Sequence, residues 1–277
     1  MERMRQTYGG DAMKKLHFDY RMQIDYTIEV STCNFTIKCI PKNDARQTIK
    51  EMHIALDPDT HYNWGNDGLG NTQIYGLNEL PHRSFSFHIW GEADAGLSDY
   101  EEEVDDRIAM IFRHPYGMNR AGDGIRAYYD RMQDLPEDAY EKATELMHRL
   151  YRDLVYQPGT TTVTTTAEEA FSLGCGVCQD YAHIFIALLH LAGIPARYVT
   201  GLIVGEGASH AWVELLYNNH WYGLDPTNDK PVFDEHIKIG IGRDAHDCMI
   251  NRGIMHGGGL HTQTITANVW EYPTKFN

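Results

Sequence analysis

The stretch Leu173-Gly174-Cys175-Gly176-Val177-Cys178-Gln179-Asp180-Tyr181-Ala182-His183 decides how this chain is read. Its glycines predict a turn, and the text that follows is helical. Tyr181, Ile184, Phe185, Leu188, Leu189 and Leu191 recur at three and four residues, and Gly193-Ile194-Pro195 ends the run. Cys178 therefore falls in the first turn of an apolar helix. Unpaired N–H groups and the positive end of the helix dipole favour a thiolate there. The same N–H groups can stabilise an oxyanion formed beside the sulfur. A nucleophile so placed needs a base.

Ala208 to Tyr217 and Trp221 to Asp225 read as strands, with Asn218-Asn219 as a two-residue hairpin turn between them. With the turn there, Tyr217 opposes His220 and Asp225 faces Trp212. His210 lies two positions along on the same face, a diagonal of roughly 7–8 Å that a His–Asp side-chain bond can span. A slip of one residue would put the two on opposite faces. Cys178, His210 and Asp225 thus read as a thiol, a base and an orienter.

Four motifs occur in order: Gly-Val-Cys-Gln-Asp from Gly176, Ala-Gly-Ile-Pro-Ala-Arg-Tyr-Val-Thr-Gly from Ala192, Ser-His-Ala-Trp-Val-Glu from Ser209, and Gly-Leu-Asp-Pro-Thr-Asn from Gly223. Together they resemble the transglutaminase-like superfamily, and more narrowly the bacterial transglutaminase-like proteins often described as cysteine proteases. The resemblance implies a papain-like α+β catalytic core with nucleophile, base and orienter at Cys178, His210 and Asp225. It extends to the N-terminal half, where an Asp-Gly-Leu-Gly-Asn turn at Asp67 is similar to the β domain preceding that core. The family also has a Gly-Arg-Asp segment, present here at Gly242. Prolines tend to follow it in the family, and this chain has Met249-Ile250-Asn251 instead.

The bounds on the chain are those expected of a soluble protein with a real core. It has 277 residues, 42% hydrophobic and 23% charged, enough for a core and for one large or two ordinary domains. Lys+Arg number 24 against 39 Asp+Glu, a net charge of −15, which argues against nucleic acid and anionic membranes as partners. No apolar run approaches a membrane span, and Met-Glu-Arg-Met-Arg lacks the apolar core of a signal peptide, so a cytoplasmic location is expected. Five cysteines imply no disulfide framework. Cys33 and Cys39 read as small buried residues. Cys175 and Cys178 make a C-x-x-C, but no second pair completes a zinc site. Neither metal nor cofactor is expected.

Residues 1–15 are polar. From Leu16 onward the text alternates: Phe18, Tyr20, Met22, Ile24, Tyr26, Ile28 and Val30 predict a long half-buried strand. Phe35–Ile40, Thr48–Leu56 and Ser84–Trp90 repeat the pattern between turn clusters. The expected architecture is an N-terminal antiparallel β-sandwich at 1–96, a linker at 97–135 and a catalytic domain at 136–277. The acidic run Asp99–Asp106 reads as a solvated linker or helix start. Residues 113–128 read as an irregular connection. A helix is expected from Pro136 to about Leu154, with Ala143, Leu146, Met147, Leu150 and Leu154 on one face. Thr160–Thr166 reads as a surface loop whose last residue caps a short helix, Ala167–Leu173. Ile237–Asp244 and His261–Tyr272 read as closing strands.

Around the three central residues, Asp180 is expected to support the helix N-terminus. Gly176 belongs to the supporting turn, and Arg197 to a structural ion pair. Trp212 shares the face of His210, as core or as a lid. The Cys178 N–H is one oxyanion donor, and Tyr156 is a candidate for the second. His183, His190, His256 and His261 read as structural. The chemistry expected is attack of Cys178 on an amide of a peptide or protein substrate. Hydrolysis is preferred over transfer to an amine, with a binding scaffold or a C-x-x-C oxidoreductase as rivals.

Overall fold

A computed structural model describes residues 13–96, 104 and 106–271. Residues 1–12, most of the acidic run and Tyr272, each with an expectation above, lie outside these. The N-terminal strands are β1 (Lys14–Ile37), β2 (Gln47–Asp57), β3 (Tyr62–Asn66), β4 (Thr72–Asn78) and β5 (His82–Ala95). Phe35–Ile37 does not start a new strand, because β1 runs through to Ile37. A register shift between Val30 and Thr32 bends it. Before the bend β1 pairs with β5, and after it with β4. Ile28 shares the parity of the buried Tyr26 and Val30 yet is exposed, since the ladder to β5 breaks between Asp25 and Val30.

The middle of the chain is helical: α1 (Asp106–Ile111), α2 (Asp123–Asp130), α3 (Ala139–Asp153), α4 (Ala167–Leu173) and α5 (Cys178–Leu191). Two short parallel strands, β6 (Val155–Tyr156) and β7 (Cys175–Gly176), tie the end of α3 to the start of α5. Asp138 caps α3 by accepting from Tyr140 N and Glu141 N at 2.9 and 3.0 Å. Ala143, Leu146, Met147, Leu150 and Leu154 are buried. Thr166 and Glu169 cap α4 reciprocally. The helix α2 is the one the sequence concealed. Its first N–H groups have no local acceptor; Glu168 of α4 takes those of Gly122, Gly124 and Ile125 at 2.9, 2.7 and 3.2 Å.

The rest is strand: β8 (Ala196–Ile203), β9 (Gly205–Gly207), β10 (His210–Tyr217), β11 (His220–Asp225), β12 (Lys230–Pro231), β13 (His236–Gly242), β14 (Asn251–Gly257) and β15 (His261–Glu271). One antiparallel sheet runs β12-β11-β10-β8-β13. The helix α5 packs on its β8 and β10, and every residue from Asp180 to Leu189 is buried. The other sheet is eight-stranded, antiparallel and curled. It joins the N-terminal strands to β9, β14 and β15, with β15 alongside β1. The two sheets share a core in which Leu202, Ile237 and Ile239 pack with Phe18, Phe35 and Phe87.

Two amide side chains hold β13 as a neighbouring strand would. Gln47 accepts from Lys238 N and donates to Lys238 O, both at 2.7 Å. Asn71 does the same to Ile241, both at 2.8 Å. Among the described residues no helix is long and apolar enough to cross a membrane.

Candidate active site

The nucleophile candidate is placed by a turn that only glycine allows. A Cβ on Gly176 would lie 2.6 Å from the Cβ of Asp180. That closeness lets the buried Asp180 carboxylate reach back over the helix start. It accepts from Val177 N at 2.8 Å and from the Thr161 hydroxyl at 2.6 Å. Val177, the N-cap residue, has no side chain to do this. Burial raises the Asp180 carboxyl above its ordinary value, opposed by these bonds. Cys178 is the first residue of α5 and half-buried, so its N–H is one of the donors with no partner inside the helix. Cys33, Cys39 and Cys248 are buried, and burial pushes all three thiols up.

His210 and Asp225 come from the hairpin. Asn218 and Asn219 both have positive φ, 48° and 64°, the backbone of the tight turn their residue type favours. Tyr217 pairs with His220 and Val213 with Leu224. His210 opens β10, Asp225 closes β11, and they meet: Nε2 donates to Oδ2 at 2.8 Å. Cys178, at the start of α5, also interacts with this imidazole and favours its charged form. Burial acts to lower the His210 pKa, but the Asp225 and Cys178 interactions outweigh it and raise it to about 10. For Asp225 burial acts to raise, and the bonds from two histidines hold it well below the usual carboxylate range.

The second of those histidines is His236, which sequence reasoning missed. It opens β13, is wholly buried, and its Nε2 lies 3.2 Å from Asp225 Oδ2. Asn228 Nδ2 donates to the same oxygen at 2.7 Å, while Thr227 N and Asn228 N donate to Oδ1 at 3.0 and 3.3 Å. No local signal marks His236, because β11 and β13 are separated by two strands in the sheet. Burial lowers its pKa, opposed by Asp225. Among the described residues His210, Asp225 and His236 are the grouping that could hold a metal, with ligand atoms within 4.8 Å. Both Nε2 atoms, however, face one carboxylate oxygen as donors.

The remaining residues surround this set. Trp212 is wholly buried with its ring centroid 6.2 Å from that of His210. Its ring fits because position 201 is glycine; a Cβ there would come within 2.3 Å of it. Tyr156 lies across from Gly176 in the short parallel pair and is half-exposed. Its hydroxyl pKa is raised by burial and by Cys178 nearby. Arg197 donates to the buried Glu214 at 2.6 Å and lies over the Trp221 ring at 4.1 Å. His183 is a neutral core histidine, pushed by burial to about 3, and accepts from Ala245 N at 3.1 Å.

A cysteine at a helix start beside a buried His–Asp pair, on an α+β core with a curled β region before it, defines a class of fold rather than one activity. Residues 126–226 match the core of the transglutaminase-like superfamily, and residues 16–94 match the bacterial transglutaminase-like N-terminal region. The chain belongs to the transglutaminase-like superfamily. Tyr156, Cys178, His210 and Asp225 lie inside the matched core, and His236 lies outside it. A crystal structure of a candidate cysteine protease from Cytophaga hutchinsonii shares the fold. Its TM-score is 0.79 at 21% identity, over 97% of this chain and 93% of that one. An uncharacterised protein of Mycobacterium tuberculosis is 28% identical over 249 residues, 78% of this chain and 79% of its own. One from Mycobacterium leprae is 40% identical over 116 residues, 38% of this chain and 41% of its own.

Proposed function

We propose that this protein breaks an amide bond by thiol acyl chemistry, with hydrolysis of a peptide or isopeptide bond as the outcome. Cys178 attacks the carbonyl carbon while its proton resides on His210. The oxyanion is met by the Cys178 N–H at the start of α5. Collapse expels the amine, which takes the proton from His210, and leaves a thioester on Cys178. Water, deprotonated by His210, then releases the acid and the free thiol. Asp225 holds the imidazole and stabilises its charged form. Transfer of the acyl group to an amine shares the first half of this sequence.

One observation carries the reading. A buried Asp225 bonds one nitrogen of His210 at 2.8 Å, and Cys178, the first residue of α5, joins it in raising the pKa of that ring. This supports reading His210 as a base between an orienter, Asp225, and a nucleophile, Cys178. The protease assignment given to the Cytophaga hutchinsonii protein favours hydrolysis. A peptide library and a glutamine-plus-amine library, each run with wild type and Cys178→Ala, test the proposal. Peptide cleavage that vanishes in Cys178→Ala is expected. Amine incorporation without cleavage would replace hydrolysis by transfer. No adduct of a thiol-directed activity probe on Cys178 would make the chain a binding protein.

A further inference from the structure

Asp225 Oδ2 receives a ring nitrogen from each of two histidines, His210 at 2.8 Å and His236 at 3.2 Å. The two rings lie 6.0 Å apart, and two cations so close in a buried site would repel. The structure resolves this by dividing the roles. Asp225 and Cys178 favour the charged form of His210, whereas His236 is wholly buried and favours the neutral one. The groups facing His236 are Asp225, His210, the Trp212 ring edge-on at 5.2 Å, and Arg46 through its charge. Glu235 precedes it in the chain and forms its own pair with Lys230 at 2.5 Å. A neutral imidazole with its proton on Nε2 is a fixed donor that adds no charge.

The main chain of His236 is fixed from outside the core. Its N–H donates to Phe233 O at 3.2 Å, closing a turn. Arg46, from the N-terminal region just before β2, donates to Phe233 O at 3.2 Å and to Val232 O at 2.9 Å. Arg46 is itself buried, and Gln47 beside it holds both main-chain groups of Lys238. Thus a continuous set of bonds runs from the N-terminal β region through the turn at 233–236 to Asp225 and His210.

We propose that His236 is a positioning residue that fixes the Asp225 carboxylate for His210, and that the N-terminal β region sets it in place through Arg46. This rests on the functional reading above. It also gives the N-terminal region a part in the site it does not itself contain. Removing a neutral donor from a carboxylate makes that carboxylate a stronger base toward its remaining partner. It also leaves Asn228 Nδ2 and His210 as the donors on Oδ2, so the His210 Nε2–H bond is less protected.

The test compares wild type with H236L, H236N, H236Q and R46M, using ring-labelled histidine and NMR. The glutamine amide reaches about as far as ring Nε2, and the shorter asparagine amide does not. In H236L and H236N the His210 titration should move up by about one unit, and its Nε2 proton should exchange about 10-fold faster. H236Q should stay close to wild type, and R46M should move in the same direction by less. If H236L does not fold, H236N and H236Q carry the comparison. A wild-type His210 titration in H236L and H236N, or an H236Q displaced as far as H236N, would overturn the proposal. The functional reading fails separately, through turnover that persists in Cys178→Ala. The His210 titration can be read in either case.

Discussion

Asp225→Asn changes one atom and opposes five donors. The carboxylate is wholly buried. Its Oδ2 takes Asn228 Nδ2, His210 Nε2 and His236 Nε2, and its Oδ1 takes the N–H groups of Thr227 and Asn228. An amide has one oxygen. Turned one way, its NH2 meets the two imidazoles; turned the other, it meets the two backbone donors. Each buried donor left without an acceptor costs about 1–3 kcal/mol, and breaking a buried ion pair costs about 3–5 kcal/mol. The variant should therefore melt several degrees lower while still folding, since the hairpin and α5 are intact.

Its effect on chemistry should be larger than on stability. Without the carboxylate, burial of His210 is opposed by Cys178 alone, so the ring titrates far below the wild-type value of about 10. The amide can also hold the ring in the wrong tautomer. The analogous change in a Ser-His-Asp triad lowers kcat by about 10⁴-fold, and a loss of at least about 10³ is expected here. Turnover on a substrate found in the peptide library, a thermal melt and a histidine titration measure the three effects together. A folded Asp225→Asn within about tenfold of wild-type turnover would remove Asp225 from the mechanism.

Gly176→Ala should slow iodoacetamide labelling of Cys178 and cost about 1–3 kcal/mol by forcing a methyl against Asp180; normal labelling and melting would show that the turn has slack. Glu168→Ala should fray α2, which loses the carboxylate accepting three of its N–H groups, at about 1–2 kcal/mol; unchanged amide exchange in 122–126 would contradict this. The raised pKa of His210 gives a pair contribution complete below the unfolded value near ~6.5 and lost as pH rises through about 10. Asp225, held low, contributes above its unfolded value near ~3.9 and loses this as pH falls further. The stability gap between wild type and Asp225→Asn should therefore be widest at about pH 4–6.5 and shrink on the alkaline side. A gap that grows above pH 8 would reverse the sign. Peptide mapping after limited iodoacetamide should find Cys178 labelled before Cys33, Cys39 and Cys248, which are buried; early label on any of those three would point to local opening.

Much of the site was legible because its parts are local. Two asparagines at positive φ fix the hairpin register, and a period of two then places His210 and Asp225 on one face. Apolar spacing and a glycine stop define α5, and Cys178 follows from where that helix begins. The cap of α4 could be read because Thr166 serves the next few residues, whereas α3, expected from Pro136, begins after its cap Asp138. The N-terminal strands announced themselves by alternation, as far as the bend in β1. In each case the partner lies within a turn, a hairpin or one strand of its own position.

What the sequence concealed depends on side chains that serve distant backbone. Glu168 caps a helix more than forty residues earlier, so α2 looked like irregular connection. Gln47 and Asn71 pair with β13 at a separation of 191 and 170 residues, and neither is distinguishable from a surface amide in the text. His236 belongs to the same class. Its place against Asp225 follows from the order of strands in the sheet and from Arg46 holding the turn before it, not from any pattern around residue 236. These contacts share a physical cause: a buried polar group must find a partner wherever the fold brings one. The geometry of the candidate site would then inherit the tolerance of the N-terminal sheet, because a shift of Arg46 would move the Phe233 carbonyl that seats His236. The Asp225 carboxylate would follow, and with it the ring that faces Cys178.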